Sequence, residues 1–211
     1  MSHSTELVDP QLAGVEVDGM TRASFILRGA LAAGAVYGTS AVTPFISQAF
    51  AAADTTDVEI LNFALTLEYL ESTFYTVKGK EVSLRGKARS YASTFGEQES
   101  EHVKAIAATI RQLGGKPVAK PMFAFPGNNE KSFLELASTL ENTGVSAYNG
   151  AAPSIKSKEV LAAAGSIVQV EARHAAAVDL LIGKSPTPSG AFDKPLTQAE
   201  VLKIAEPLIK S

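Results

Sequence analysis

Four stretches of this chain carry apolar residues at helical spacing, and each interrupts its apolar stripe with a glutamate. In the last stretch Val160, Ala164, Ile167, Glu171, His174, Val178 and Leu181 share one face, in alternating steps of four and three. In the second, Ala92, Phe95, Glu99, His102, Ile106, Ile110 and Leu113 form the same kind of stripe. The first aligns Leu61, Ala64, Leu65, Glu68, Ser72 and Tyr75, and the third aligns Leu134, Ala137, Glu141, Val145 and Tyr148. A lone buried carboxylate costs several kcal/mol unless something pairs with it. For one stripe, a core arginine or partial exposure would be remedy enough. Four stripes with the same defect ask for a common cause.

The punctuation between the stripes sets the fold class. The pattern Thr56-x-x-Glu59 reads as a capping box that opens a first helix, about 57–78, which Lys78-Gly79-Lys80 closes. A second helix, about 84–113, stops at Gly114-Gly115. A third, about 131–150, ends at Gly150 and Pro153, and a fourth, about 157–183, ends at Gly183 before a proline-rich stretch. A short fifth helix follows a second capping box, Thr197-x-x-Glu200. No segment sustains the alternation of a strand, so the chain is expected to be all-α.

Between the second and third helices lies GKPVAKPMFAFPGNN, which has three prolines and no periodicity. About fifteen extended residues at roughly 3.1–3.3 Å each span some 45–50 Å. A helix of twenty to twenty-five residues is only about 30–38 Å long. The link can therefore run the length of a bundle and join two helices that point the same way. One long crossover between two helical hairpins is the ferritin-like connection of four helices.

The spacing repeats. Glu68 and Glu99 are 31 residues apart, and Glu141 and Glu171 are 30 apart. Each hairpin has a lone glutamate, then Glu-x-x-His, and each lone glutamate follows a leucine and precedes a tyrosine by seven residues, Tyr75 or Tyr148. The halves read as a duplicated hairpin. On a helix, Glu and His three apart point the same way, so both can reach one metal ion or neighbouring ions. The lone glutamates are expected to bridge such a pair. Four carboxylates and two neutral imidazoles balance two divalent cations, which resolves the burial problem. Such a pair can activate dioxygen or peroxide, or cycle between oxidation states. Without metal, Glu68, Glu99, Glu141 and Glu171 are all expected to hold protons above their ordinary range.

The segments NFALTLEYLESTFY, FGEQESEHV, LENTGVSAYNGAAP and VEARHAAAV resemble the ferritin-like superfamily over about residues 57–183. They are most similar to an exported ferritin-like family that includes plant desiccation-related and fungal stress proteins. The resemblance implies a dinuclear iron or manganese site at Glu68, Glu99, His102, Glu141, Glu171 and His174. It implies no established reaction. Glu71 and Glu101 lie off the stripes and are expected to be exposed or to sit behind the ligands, and Glu97 to face solvent. Tyr75 and Tyr148 are expected to donate hydrogen bonds, to the site or elsewhere in the core, with a redox role as the alternative.

Composition narrows the rest. A net charge of −3 with no basic stripe argues against nucleic acid as a partner. The absence of cysteine excludes disulfides, zinc–thiolate sites and thiol catalysis. Residues 1–53 read as a tail and export signal, and 54–211 as the bundle domain. Arg22 and Arg28 precede an uncharged run from Gly29 to Ala53 that closes with Ala49-Phe50-Ala51, a small-x-small cleavage pattern. Arg22-Ala23-Ser24-Phe25 keeps the spacing of a twin-arginine signal but lacks its second arginine. The expected location is periplasmic or extracellular, with an uncleaved membrane anchor as the alternative. Three functions fit: a ferroxidase-, oxidase- or catalase-like redox protein, an iron store, or a stress-protective bundle with vestigial or no metal. A homo-oligomer is compatible with each.

Overall fold

The computed structural model describes residues 55–210 and, before them, the pairing of β1 (Glu16–Val17) with β2 (Met20–Thr21). The export signal expected within residues 1–53 lies outside the described residues. Among the described residues no helix is long and apolar enough to cross a membrane.

Helix α1 (Thr55–Thr73) runs into a π-helical turn, Phe74–Lys78, and a last short turn, α2 (Gly79–Glu81). Helix α3 (Gly86–Gln112) completes the first hairpin, and α4 (Glu130–Ala151) with α5 (Lys158–Leu181) forms the second. Helix α1 packs chiefly on α3, and α4 on α5; the hairpins meet where α1 touches α4 and α3 touches α5. Short α6 (Gln198–Ala205) lies against α4. The all-α expectation holds, apart from two-residue strands such as β3 (Met122–Phe123), which pairs antiparallel with β4 (Ile209–Lys210).

The chain directions follow from contacts between helix ends. At the start of α1, Asp57 accepts hydrogen bonds from the backbone N–H of Lys156 and Ser157, just ahead of α5, so α1 and α5 begin at the same end. Glu130, opening α4, accepts from the backbone N–H of Arg85, just ahead of α3, so α3 and α4 begin at the other end. The proline-rich link bonds Asn62 through Lys116 and Val118, and further on sets Phe125 against Phe74. Asn62 and Phe74 are twelve residues apart, about 18 Å of helix. The link therefore runs along the bundle, as its length allowed.

Several boundaries differ from expectation, for physical reasons. Helix α1 starts at Thr55, so Thr56 lies inside it rather than capping it. Gly79 does not end the first helix, because its φ of −60° is helical. Gly114 and Gly183, at φ +78° and +75°, do adopt the left-handed conformation that ends a helix. Gly150 also sits inside its helix. A Cβ there would fall 1.9 Å from the Leu196 carbonyl oxygen, where the returning chain bonds the Ser146 carbonyl. The second helix begins at Gly86 and the fourth ends at Leu181. The Thr197–Glu200 capping box forms as expected, and Asn129 with Ser132 forms another ahead of α4.

The core has two apolar parts, one at each end of α1's inner face. Leu61, Leu65, Ile106, Ile110 and Val160 form one. Phe74, Phe133, Phe95, Leu134 and Ala137 lie in the other, with Phe74 stacked on Phe133 at 4.5 Å. Phe74 is wholly buried, and its replacement by alanine should cost about 3–5 kcal/mol. The glutamates of the stripes lie between these parts, away from water.

Candidate metal centre

The four helices bring the six expected residues to one place. Glu68 comes from α1, Glu99 and His102 from α3, Glu141 from α4, and Glu171 and His174 from α5. All four glutamates are fully buried, which ordinary surface acids never are. His102 Nδ1 lies 3.0 Å from Glu99 Oε2, 3.0 Å from Glu171 Oε1 and 3.2 Å from Glu68 Oε2. His174 Nδ1 lies 2.8 Å from Glu99 Oε1 and 3.4 Å from Glu141 Oε2. Each Nδ1 carries at most one proton, so it can satisfy one of the oxygens crowding it. Glu68 Oε2, Glu99 Oε1, Glu141 Oε2, both Glu171 oxygens and His174 Nδ1 are buried without a hydrogen-bond partner.

The donors form two overlapping groups, Glu68–Glu99–His102–Glu171 and Glu99–Glu141–Glu171–His174, each with donor atoms within 4.8 Å of one another. Glu99 and Glu171 belong to both. The expectation gave the shared place to the lone glutamates, whereas Glu68 and Glu141 each belong to one group. Glu99 sits between the two histidines, its two oxygens divided between them. Glu68 and Glu141 stand at opposite flanks. Buried carboxylate oxygens and an imidazole nitrogen without a partner fit hard or borderline divalent cations.

Both tyrosines are turned to the flanking acids, each crossing to the other hairpin. Tyr75 donates to Glu141 Oε1 at 2.5 Å, and Tyr148 donates to Glu68 Oε1. The π turn helps set Tyr75 inward, next to wholly buried Phe74. Gly96 on α3 allows that turn to approach, since a Cβ there would lie 3.0 Å from Tyr75 Cβ. Gln98 Oε1 lies 2.6 Å from His174 Nε2, and Phe95 stacks on the ring at 3.9 Å. A proton on Nε2, shared with Gln98, leaves the Nδ1 lone pair of neutral His174 facing the centre. His102 is held less tightly, with 12% of its side chain exposed.

The electrostatics divide the acids. Burial raises Glu68 to about 7 despite the His102 hydrogen bond that opposes it. Burial also raises Glu141, and it raises Glu171 well above the carboxylate range, reinforced by Glu99 and Glu68. Glu99 departs from the expected rise: burial works against its charge, but hydrogen bonds from His102 and His174 outweigh it and bring it to about 2. Burial disfavours the charged histidines, yet the surrounding carboxylates raise both, His174 to about 10. Burial and the facing acids push both tyrosines well above their usual value, so they stay protonated donors.

Glu97 and Glu101 are exposed, as expected. Glu71 follows the other expectation and is buried beside the ligands: it is 3% exposed, and burial followed by Glu171 raises it well above the carboxylate range. The expectation placed it off the face because the stripe was drawn from Glu68 through Ser72. A step of three from Glu68 reaches Glu71, the same step that joins Glu99 to His102. Gln98 carried no signal, since only the meeting of α3 and α5 places it on His174. Away from the centre, buried Asp179 accepts from Ser138 and Asn142 and ties α5 to α4.

No curated protein matches the chain. Residues 56–184 match the family model described as a ferritin-like domain, and the chain belongs to that family.

Proposed function

We propose that the chain is an exported protein whose centre holds two iron or manganese ions and uses them on dioxygen or peroxide, in defence against oxidants. One observation carries the metal reading: three carboxylate oxygens crowd His102 Nδ1 within 3.2 Å, where a single proton can serve only one of them. A divalent cation serves every donor at once. Glu68 and His102 would hold one ion, Glu141 and His174 the other, with Glu99 and Glu171 shared. Bound there, the ions would supply electron exchange with a small oxidant. Oxygen and imidazole donors accept iron and manganese alike, so supply decides between them.

The chain's own residues prepare the site for that use. Tyr75 and Tyr148 fix the flanking carboxylates, and Gln98 fixes His174. The apolar parts on either side exclude water. A groove of about 450 Å³, bounded by Tyr75, Gly96, Ser100 and Lys104 among others, is open to solvent and gives a small oxidant room to approach. Export rests on Arg22, Arg28, the uncharged run that follows and Ala49-Phe50-Ala51.

Elemental analysis of protein purified from its own cells tests the metal, followed by assays of peroxide and iron(II) turnover. About two ions per chain with turnover of either substrate is the expected result. Metal-free, inactive protein would leave the stress-protective bundle, and a large hollow assembly by mass would favour storage. N-terminal sequencing tests location: a mature start near Ala51 to Asp54 is expected, and full-length protein in the cytoplasm would end the export reading.

A further inference from the structure

The centre contains an acid that six ligands leave unexplained. Glu71 lies one helical turn beyond Glu68 on α1 and is 3% exposed. Glu68, Glu99, Glu141 and Glu171 each have a histidine or tyrosine turned toward them. Among the described residues, no hydrogen bond or ion pair serves Glu71, and all its leading electrostatic neighbours are acids. A partnerless buried carboxylate is a several-kcal/mol liability that a sequence removes easily, by glutamine or leucine. It can lie there only with a proton or beside a compensating charge.

Its surroundings show where that charge would be. An offset of 73 residues carries Glu68 onto Glu141 and Tyr75 onto Tyr148, and it carries Glu71 onto Gly144. The duplicated hairpins therefore differ at this position, glutamate in one and glycine in the other, and the two residues face each other. A Cβ on Gly144 would lie 3.1 Å from Glu71 Oε1 and 3.6 Å from Glu171 Oε2. Both carboxylates thus rest against the bare Cα of Gly144, one turn along α4 from Glu141. Glu171 Oε1 lies 3.0 Å from His102 Nδ1, and Oε2, without a partner, is the oxygen beside Gly144. Behind Glu71 the space between Leu67, Leu70, Leu140 and Thr143 is only about 10 Å³, too little for a hydrated cation of its own.

We propose that Glu71 is a fifth carboxylate of the centre, an additional ligand to the ion held by Glu99, Glu141, Glu171 and His174, and that Gly144 admits it. The inference rests on the two-ion reading above. It makes the ions unequal, with four protein side chains around the His102 ion and five around the other. A methyl group at residue 144 would push Glu71 and Glu171 apart without removing either.

The test is titration of metal-stripped protein with manganese(II) by calorimetry, and with cobalt(II) by visible absorption. Wild type should take up two ions. Glu71→Gln should weaken one of them by about tenfold or more and leave the other unchanged. Its cobalt(II) band for that ion should intensify, because fewer ligands give stronger d–d absorption. Gly144→Ala, which keeps every carboxylate, should reproduce both effects, while circular dichroism monitors the helices in each variant. Two ions bound with wild-type affinity and spectrum in both variants would overturn the assignment of Glu71. A wild-type chain that binds no metal would instead overturn the two-ion reading itself.

Discussion

Tyr75, on the π turn of the first hairpin, donates a hydrogen bond to Glu141 on the second, across 2.5 Å. Tyr148 repeats the relation in the opposite direction, toward Glu68. Each hairpin thus steadies the other's flanking carboxylate. Tyr75→Phe leaves Glu141 Oε1 buried without a donor, and should cost the metal-free protein about 1–3 kcal/mol in urea denaturation. It should also weaken metal binding by roughly tenfold, since an oriented ligand becomes a loose one. Unchanged stability and affinity in both Tyr75→Phe and Tyr148→Phe would show that the two hydroxyls are incidental.

The division between shared and flanking acids makes a stoichiometric prediction. Glu99 and Glu171 belong to both donor groups, while Glu68 and Glu141 each belong to one. Glu99→Ala and Glu171→Ala should lose both ions, and Glu68→Ala and Glu141→Ala one ion each, with helix content kept. Elemental analysis after dialysis reads this directly. The reverse order, with Glu68→Ala emptying the centre, would restore the lone glutamates as bridges.

Metal uptake should also release protons. Carboxylate neighbours raise both histidines, His174 to about 10, and burial raises Glu68 to about 7. Near pH 7 the metal-free centre therefore holds a proton on each histidine and part of one on Glu68. A cation needs both Nδ1 lone pairs and ionised acids, so it must displace them. Loading two ions should release at least two protons into weakly buffered solution, and affinity should fall as pH is lowered from 8 to 6. Uptake without proton release would mean that the metal binds elsewhere.

Much of this arrangement was legible because four stripes share one defect. The step of three within Glu-x-x-His pointed to the side chains that converge, and the length of the proline-rich link allowed the crossover that the contacts of Asp57 and Glu130 show. Periodicity cannot show which oxygen of Glu99 faces which histidine, so it could not show that Glu99 and Glu171 belong to both donor groups. It cannot show the π turn at Phe74–Lys78 either, because that turn shifts the register the pattern is read in. Gly150 looked like a stop signal only because the Leu196 carbonyl that needs its bare Cα is 46 residues away in sequence. Glu71 was readable in principle: the 73-residue offset sets it opposite Gly144, a complementarity visible only once the two hairpins are superposed.

The last prediction concerns the metal-free fold. Glu68 is raised from 4.5 to about 7, so its contribution to stability is complete below pH 4.5 and is lost as pH rises through 7. Burial shifts Glu141 and Glu171 in the same direction. His174, raised from 6.5 to about 10, contributes fully below pH 6.5 and loses that contribution as pH rises through 10. Glu99 opposes this trend only in acid: lowered to about 2, it stabilises above pH 4.5 and ceases to as pH falls through 2. The metal-free protein should therefore melt highest near pH 4.5 and progressively lower toward pH 7 and beyond. Metal at about a hundred times its dissociation constant should return roughly 2.7 kcal/mol per site near neutral pH. Thermal melting of both forms across pH 4–9 measures this, with a Glu68→Gln/Glu141→Gln double variant beside them. The variant carries amides where the titrating acids stood, so its metal-free melting should be flatter from pH 4.5 to 7 and higher than wild type at pH 7. It should gain little from metal. Wild-type melting indifferent to pH and metal, with the double variant less stable, would mean that protons on the histidines alone balance these acids and that no cation is needed there.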